Sequence, residues 1–192
     1  MWLTWLFVAG LAAAGGAPLQ RSLTDQVESA LGSVERPTDP GVCVGRMVPG
    51  EFSVCIQGPE QRIALAAAVA KQARRRLRSA YVSAELKARE WSVVVRPNAP
   101  ALVDGRPVRT PLAQEVSVQV HDHPEQAVLP LKTVPLPVEW GNAIGVTLKG
   151  QGLTAMFHIP MLPEGDLDIV IVTAGRTERR YAVPRSTRAQ IR

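Results

Sequence analysis

Residues 115–120 read EVSVQV, a strict alternation that sets Val116, Val118 and Val120 on one face of an extended segment. A repeat of two residues fits a strand with one buried face; a helix would scatter the same valines around its axis. Short segments of this kind recur every eight to twelve residues on the C-terminal side. They fall at 127–134, 136–140, 144–149 and 153–159, and a closing hairpin of 167–173 and 176–183 turns at Ala174-Gly175. On the N-terminal side stands WSVVV at 91–95, with a turn marked by Asp104-Gly105. Spacing and Gly/Pro punctuation predict an antiparallel β-sandwich. Pro130, Pro135, Pro137 and Pro160 lack an amide N–H and are assigned to edges or strand ends.

Further upstream, VCVGRMVPGEFSVCI at 42–56 reads as two short strands around Pro49-Gly50. Partners in a hairpin keep a constant index sum, and Cys43 with Cys55 centres the turn on Pro49. A two-residue loop would put the thiols on opposite faces, whereas a three- or five-residue loop sets them face to face within bridging range. The spacing matches neither CxxC nor a four-ligand zinc pattern, so a structural disulfide is expected. Closing a loop of this size is worth about 3 kcal/mol in the chain-entropy model.

Between hairpin and strand lies the most helical stretch. Pro59 suits a first helical position and Glu60 the positive helix end. Ile63, Ala66, Val69, Ala70, Ala73, Leu77 and Ala80 then fall on one face, with Lys71, Arg74, Arg75 and Arg78 opposite. A break is expected at Tyr81-Val82, and Ser83 is placed to cap a short second turn through Leu86. Residues 42–96 thus read as a hairpin-helix-strand unit, with the helix laid across the sheet.

At the N-terminus, MWLTWLFVAGLAAAGGA carries no charge and has the length of a signal-peptide h-region, with small residues after it. Cleavage is expected after Gly16; an uncleaved anchor is the alternative. No Cys follows the h-region for acylation, and no apolar run reaches the roughly 20 residues of a spanning helix. Residues 17–41 read as a partly disordered leader, with one helical turn keeping Leu23, Val27, Ala30 and Leu31 in spacing before a Pro-rich stop. Export to a periplasmic or extracellular setting agrees with a disulfide.

The segment EVSVQVHD, followed by GLTAMFHIPMLPEGDLDIVIVTAG at 152–175, resembles bacterial Ig-like domains of surface and envelope proteins. In those, an alternating-valine strand and a Gly-bearing closing hairpin bracket the sandwich. The likeness spans residues 115–181, and the chain departs from it with Asp168 where an aromatic is common and with a Pro-rich middle. It implies a fold and a setting, not an activity. The expected architecture is α+β: signal peptide 1–16, leader 17–41, hairpin-helix-strand unit 42–96, Ig-like antiparallel β-sandwich 97–184 and basic tail 185–192.

The 192 residues carry a net +5, 46% hydrophobic and 5% aromatic side chains. The charge is unevenly spread. Residues 60–90 hold eight cations against three acids, residues 176–192 six against one, and the stretch between them is net acidic. Arg forks match oxyanions, so Lys71, Arg74, Arg75 and Arg78 form a candidate anion surface, weighed against a merely solvated helix face. No aromatic interleaves with these cations to stack bases, which argues against nucleic acid. The tail is expected to be solvated and frayed, with docking on an acidic component as the other reading.

His121 and His123, two apart on a strand, could share one ion, and His158 with Met156 would add ligands suited to copper. Pro124 argues instead for a strand end with divergent side chains. Asp166 and Asp168 share a strand face, where paired carboxylates could do acid–base work or hold Ca²⁺; a charged sheet edge is the simpler expectation. Trp140 before Gly141-Asn142 reads as a core lid or a protruding binding aromatic, with the turn favouring the structural role. No G-x-S-x-G, HExxH or P-loop occurs. These features point to a non-enzymatic exported binding or assembly module without a cofactor, contacting protein or an anionic envelope component. A periplasmic copper or metal carrier is the alternative, then a hydrolase without a visible motif.

Overall fold

Alternation becomes two antiparallel sheets in the computed structural model. It describes residues 41–191 other than 46–47, 74–76, 79–81, 101, 104–105, 108–111 and 142–146. The expected signal peptide and leader, the Asp104-Gly105 turn, and Arg74 and Arg75 lie outside these.

Along the chain run β1 (Val42–Val44), β2 (Phe52–Gln57), α1 (Pro59–Gln72), α2 (Ala84–Lys87), β3 (Glu90–Pro97), and a small pair β4 (Leu102–Val103) and β5 (Arg106–Pro107). There follow β6 (Ala113–Val120), β7 (His123–Val128), β8 (Lys132–Gly141), β9 (Thr147–His158), a 3-10 turn at Ile159–Met161, β10 (Leu167–Thr173), β11 (Glu178–Val183) and α3 (Arg185–Arg188). One sheet has the order β1-β2-β3-β9-β8 and the other β11-β10-β6-β7. Their inward side chains form one sandwich-like core: Phe52, Val54 and Ile56 of β2, Val93 and Val95 of β3, and Ala155 and Phe157 of β9 meet Val116 and Val118 of β6 and Leu167, Ile169 and Ile171 of β10.

That core runs across the boundary expected at 96/97. The hairpin and β3 complete a sheet with β9, where Val93 pairs Ala155 and Val95 pairs Leu153, so residues 42–96 and 97–184 share one sheet and one core. A sheet whose inner face is wholly apolar has to be covered, and β2 and β3 alone would leave theirs half open.

Three expected strands are redrawn. Residues 127–134 are not one strand: β7 ends at Val128, and Leu129-Pro130-Leu131 carries the chain from one sheet to the other. Residues 147–158 form one continuous β9 despite Gly150 and Gly152, because β8 pairs along its whole length from Thr147 to Met156. All four prolines lie where a missing N–H costs no ladder bond: Pro135 and Pro137 in the edge strand β8, Pro130 in the crossover and Pro160 in the 3-10 turn.

The helix starts as expected, with Pro59 at its first turn, Gly58 N–H donating to Gln61 Oε1 at 2.6 Å and Glu60 in the first turn. It ends at Gln72, short of Ala80, and its buried face is different. Arg62, Ile63, Ala67 and Ala68 are buried while Val69 and Ala73 are exposed. Arg62, 7% exposed, decides the rotation: its Nη2 donates to Ala88 O at 2.8 Å and Leu86 O at 3.3 Å, and Nη1 lies 3.7 Å from Glu90 Oε2. Turning that face inward seats Ile63 against Val82, Leu77 and Leu86 in a small second cluster. Ser83 Oγ accepts Leu86 N–H at 3.3 Å and so caps α2 as read from the sequence.

Candidate functional site

The densest polar arrangement among the described residues lies at one end of the β6–β10 pair. Leu167, Ile169 and Ile171 point into the core, so Asp168 is turned to the opposite face of β10. There it is still buried, 6% exposed, because β10 is paired on both sides, to β6 and β11. This corrects the expectation of a charged sheet edge. A buried carboxylate needs partners, and His121 supplies them, its Nδ1 lying 2.9 and 3.0 Å from the two carboxylate oxygens. A carboxylate only accepts, so the proton sits on Nδ1 and Nε2 faces outward on a half-exposed ring. The hydrogen bond to Asp168 raises the His121 pKa above its ordinary 6.5, aided by the charges of Asp168 and Asp122.

The backbone locks this end further. His121 N–H donates to Asp166 O at 3.0 Å, Asp122 adopts φ 65 in the β6–β7 turn, and Asp166 Oδ1 accepts Arg185 N–H at 2.7 Å. Gln119, cross-strand partner of Asp168, is buried beside it with its Nε2 unpaired. Asp166 and Asp168 are thus each engaged, one as an acceptor for the start of α3 and the other for an imidazole. Chemically, the cluster offers one imidazole held through Nδ1 by a buried acid, with its Nε2 3.8 Å from Asp122 Oδ1.

The four expected metal ligands do not converge. Ala155 and Phe157 face the core, so Met156 and His158 project from the outer face of the β1-β2-β3-β9-β8 sheet, whereas His121 and Asp168 belong to the other sheet. The two groups thus project from different sheets and from opposite sides of the core. His123 begins β7 and turns to Glu125, Nδ1 to Oε1 at 3.0 Å. Glu125 is shifted below its usual range by its own backbone hydrogen bond and by His123. Among the described residues no group of three or more His, Cys, Asp or Glu is placed to hold a metal ion.

Of the anion-surface residues, Lys71 and Arg78 are described and both are exposed. The basic tail, expected to fray, is docked. Arg188 stacks its guanidinium 5.5 Å from the Trp91 ring centroid and donates to Pro163 O, while Ile191 packs against the core. Trp140 is not part of the core as a lid would be; its half-buried ring lies against Gly150 of β9, where any Cβ would overlap it.

The cysteines pair as read, but across a loop longer than the expected three or five residues, since β1 ends at Val44 and β2 begins at Phe52. Cys43 and Cys55 are directly opposite, with Cα atoms 4.0 Å apart and a formed S–S bond of 2.06 Å. Val48-Pro49-Gly50-Glu51 makes the turn, with Glu51 N–H on Val48 O at 3.1 Å and Gly50 at φ 80. Pro at the second position and a left-handed Gly at the third are what a type II turn requires.

The fold and its sites define a mostly antiparallel, sandwich-like β protein with a disulfide-linked hairpin. No family model, curated protein or solved structure matches the chain.

Proposed function

We propose that the chain is a non-enzymatic, exported binding or assembly module of the bacterial cell envelope or exterior, acting through its open β7–β8 side. The observation that carries this is a run of exposed aliphatic side chains at the crossover between the sheets: Leu129, Leu131 and Val134 are 74%, 59% and 41% exposed. Apolar side chains gathered in one short stretch at the free edge of both sheets are a feature of interaction sites more than of solvated rims. The edge itself favours side-chain recognition over strand addition. Pro135 and Pro137 cannot donate, so in β8 their positions face away from β9, and two outward positions bring no N–H to an incoming strand. The Cys43–Cys55 disulfide supports an oxidising compartment. Exposed Lys71 and Arg78, with Arg74 and Arg75 between them in sequence, supply a second contact for an anionic partner.

In-cell photo-crosslinking from position 131 followed by envelope fractionation tests the reading. A discrete adduct in the envelope or exported fraction is expected from position 131 and absent from a control position on β11, the opposite edge of the β7 sheet. Retention of the chain in the cytoplasm without an adduct refutes it.

A further inference from the structure

The disulfide closes very little of the fold. Strand β1 is three residues long, lies at the sheet edge and contributes no fully buried side chain to the core, to which only Val44 is partly packed. The far end of its hairpin is held independently of the cysteines. Asn98 N–H donates to Glu51 O at 2.8 Å, Asn98 Nδ2 to Val48 O at 2.8 Å, and Arg179 Nη2 lies 3.6 Å from Glu51 Oε1. Beyond its ladder with β2, β1 is held by the S–S bond, by the part-packed Val44 and by contact with β11, where Gly45 meets the Tyr181 ring. Cys43 is exposed and Cys55 partly buried, so Cys43 is the more accessible half of the pair.

We propose that Cys43–Cys55 is a reducible clip whose opening releases β1 and uncovers the β2 edge while the two-sheet core stays folded. The co-reactant is a thiol or dithiol reductant. Its thiolate attacks Cys43 Sγ, forming a mixed disulfide there while Cys55 leaves as a thiolate and takes a proton from water. A second thiolate then attacks the reductant's sulfur in that mixed disulfide. The reductant departs as a disulfide, Cys43 becomes a thiol, and two thiols have been oxidised for one protein disulfide reduced.

Register says what is uncovered. A Cα separation of 4.0 Å marks Cys43–Cys55 as a non-hydrogen-bonded pair, so the ladder bonds fall at Val42–Ile56 and Val44–Val54. Releasing β1 frees the N–H groups of Val54 and Ile56. It also clears the side of Tyr181, because Gly45 at the end of β1 is packed so close that an added Cβ would lie 2.8 Å from the ring.

Amide exchange of the full chain, oxidised and after graded dithiothreitol, tests this. Val54 and Ile56 should exchange at least tenfold faster once the thiols form, while Val93, Val95 and Ile169 keep their protection. A short pulse of a small-molecule thiol, quenched by alkylation, should place the mixed disulfide on Cys43 and the alkyl group on Cys55. The Cys43→Ser/Cys55→Ser double variant should fold and reproduce the local pattern. Four results each overturn the proposal: reduction only with loss of protection everywhere, reduction without change at Val54 and Ile56, a mixed disulfide on Cys55, or a double variant that does not fold.

Discussion

Replacing Arg62 by Met removes a guanidinium but keeps the length and apolar volume that fill its slot. Left behind are the carbonyls of Leu86 and Ala88, which lose donors at 3.3 and 2.8 Å, and the Glu90 carboxylate 3.7 Å away. A buried acceptor left unpaired costs about 1–3 kcal/mol. Glu90, about a fifth exposed, can recover water, so its loss is small. The sum is about 2–6 kcal/mol for Arg62→Met and under about 1 kcal/mol for Glu90→Gln. For a domain of this size that is roughly 4–24 °C against a few degrees in Tm. Thermal and urea unfolding followed by circular dichroism supply the assay, and exchange at residues 83–89 should rise in the Arg62 variant alone. Equal losses from the two substitutions would refute the reasoning, since they would make the ion pair, and not the carbonyl anchoring, the stabilising contact.

Other perturbations separate in the same way. Because the folded His121 pKa is raised, its contribution to stability is complete below about pH 6.5 and is lost as pH rises through the folded value. His121→Asn should flatten that slope in unfolding measured from pH 5 to 9, and Asp168→Asn should lower the His121 midpoint in NMR titration. Truncation after Pro184 removes Arg188 from Trp91 and Ile191 from the core; a loss of about 1–3 kcal/mol is expected, with a change in tryptophan fluorescence, where a frayed tail would give neither. Gly150→Val should displace the Trp140 ring and cost about 1–3 kcal/mol, measurable as a red-shifted emission and a lowered urea midpoint.

Local features were readable because they rest on local chemistry. Alternating valines placed β6 and β10, the cysteine index sum placed the disulfide, Pro59 opened α1, and Ser83 capped α2. What escaped depends on residues far apart in the chain. Nothing near residue 96 announces that β3 pairs with β9, so a continuous sheet was divided into two units. Asp168 and His121 meet across 47 positions, and the one available signal was an acid inside the apolar run LDIVIV. No pattern singled out Arg62, because helix spacing counts apolar residues and not the carbonyls a buried guanidinium can reach. The metal reading failed to assemble for a related reason: neighbours in a strand face opposite sides, but sequence does not say which sheet each strand joins.

The place of β9 between β3 and β8 also bears on how the chain comes off the ribosome. Strands β1, β2 and β3 can pair among themselves as soon as they are made, and the disulfide can form within that hairpin. The other edge of β3, carrying Trp91, Val93 and Val95, stays open until everything from β4 to β8 has been synthesised and β9 arrives. Long-range pairing of this kind is slow relative to hairpin closure. For that interval an apolar strand edge is exposed, the kind of transient surface through which unfinished chains aggregate.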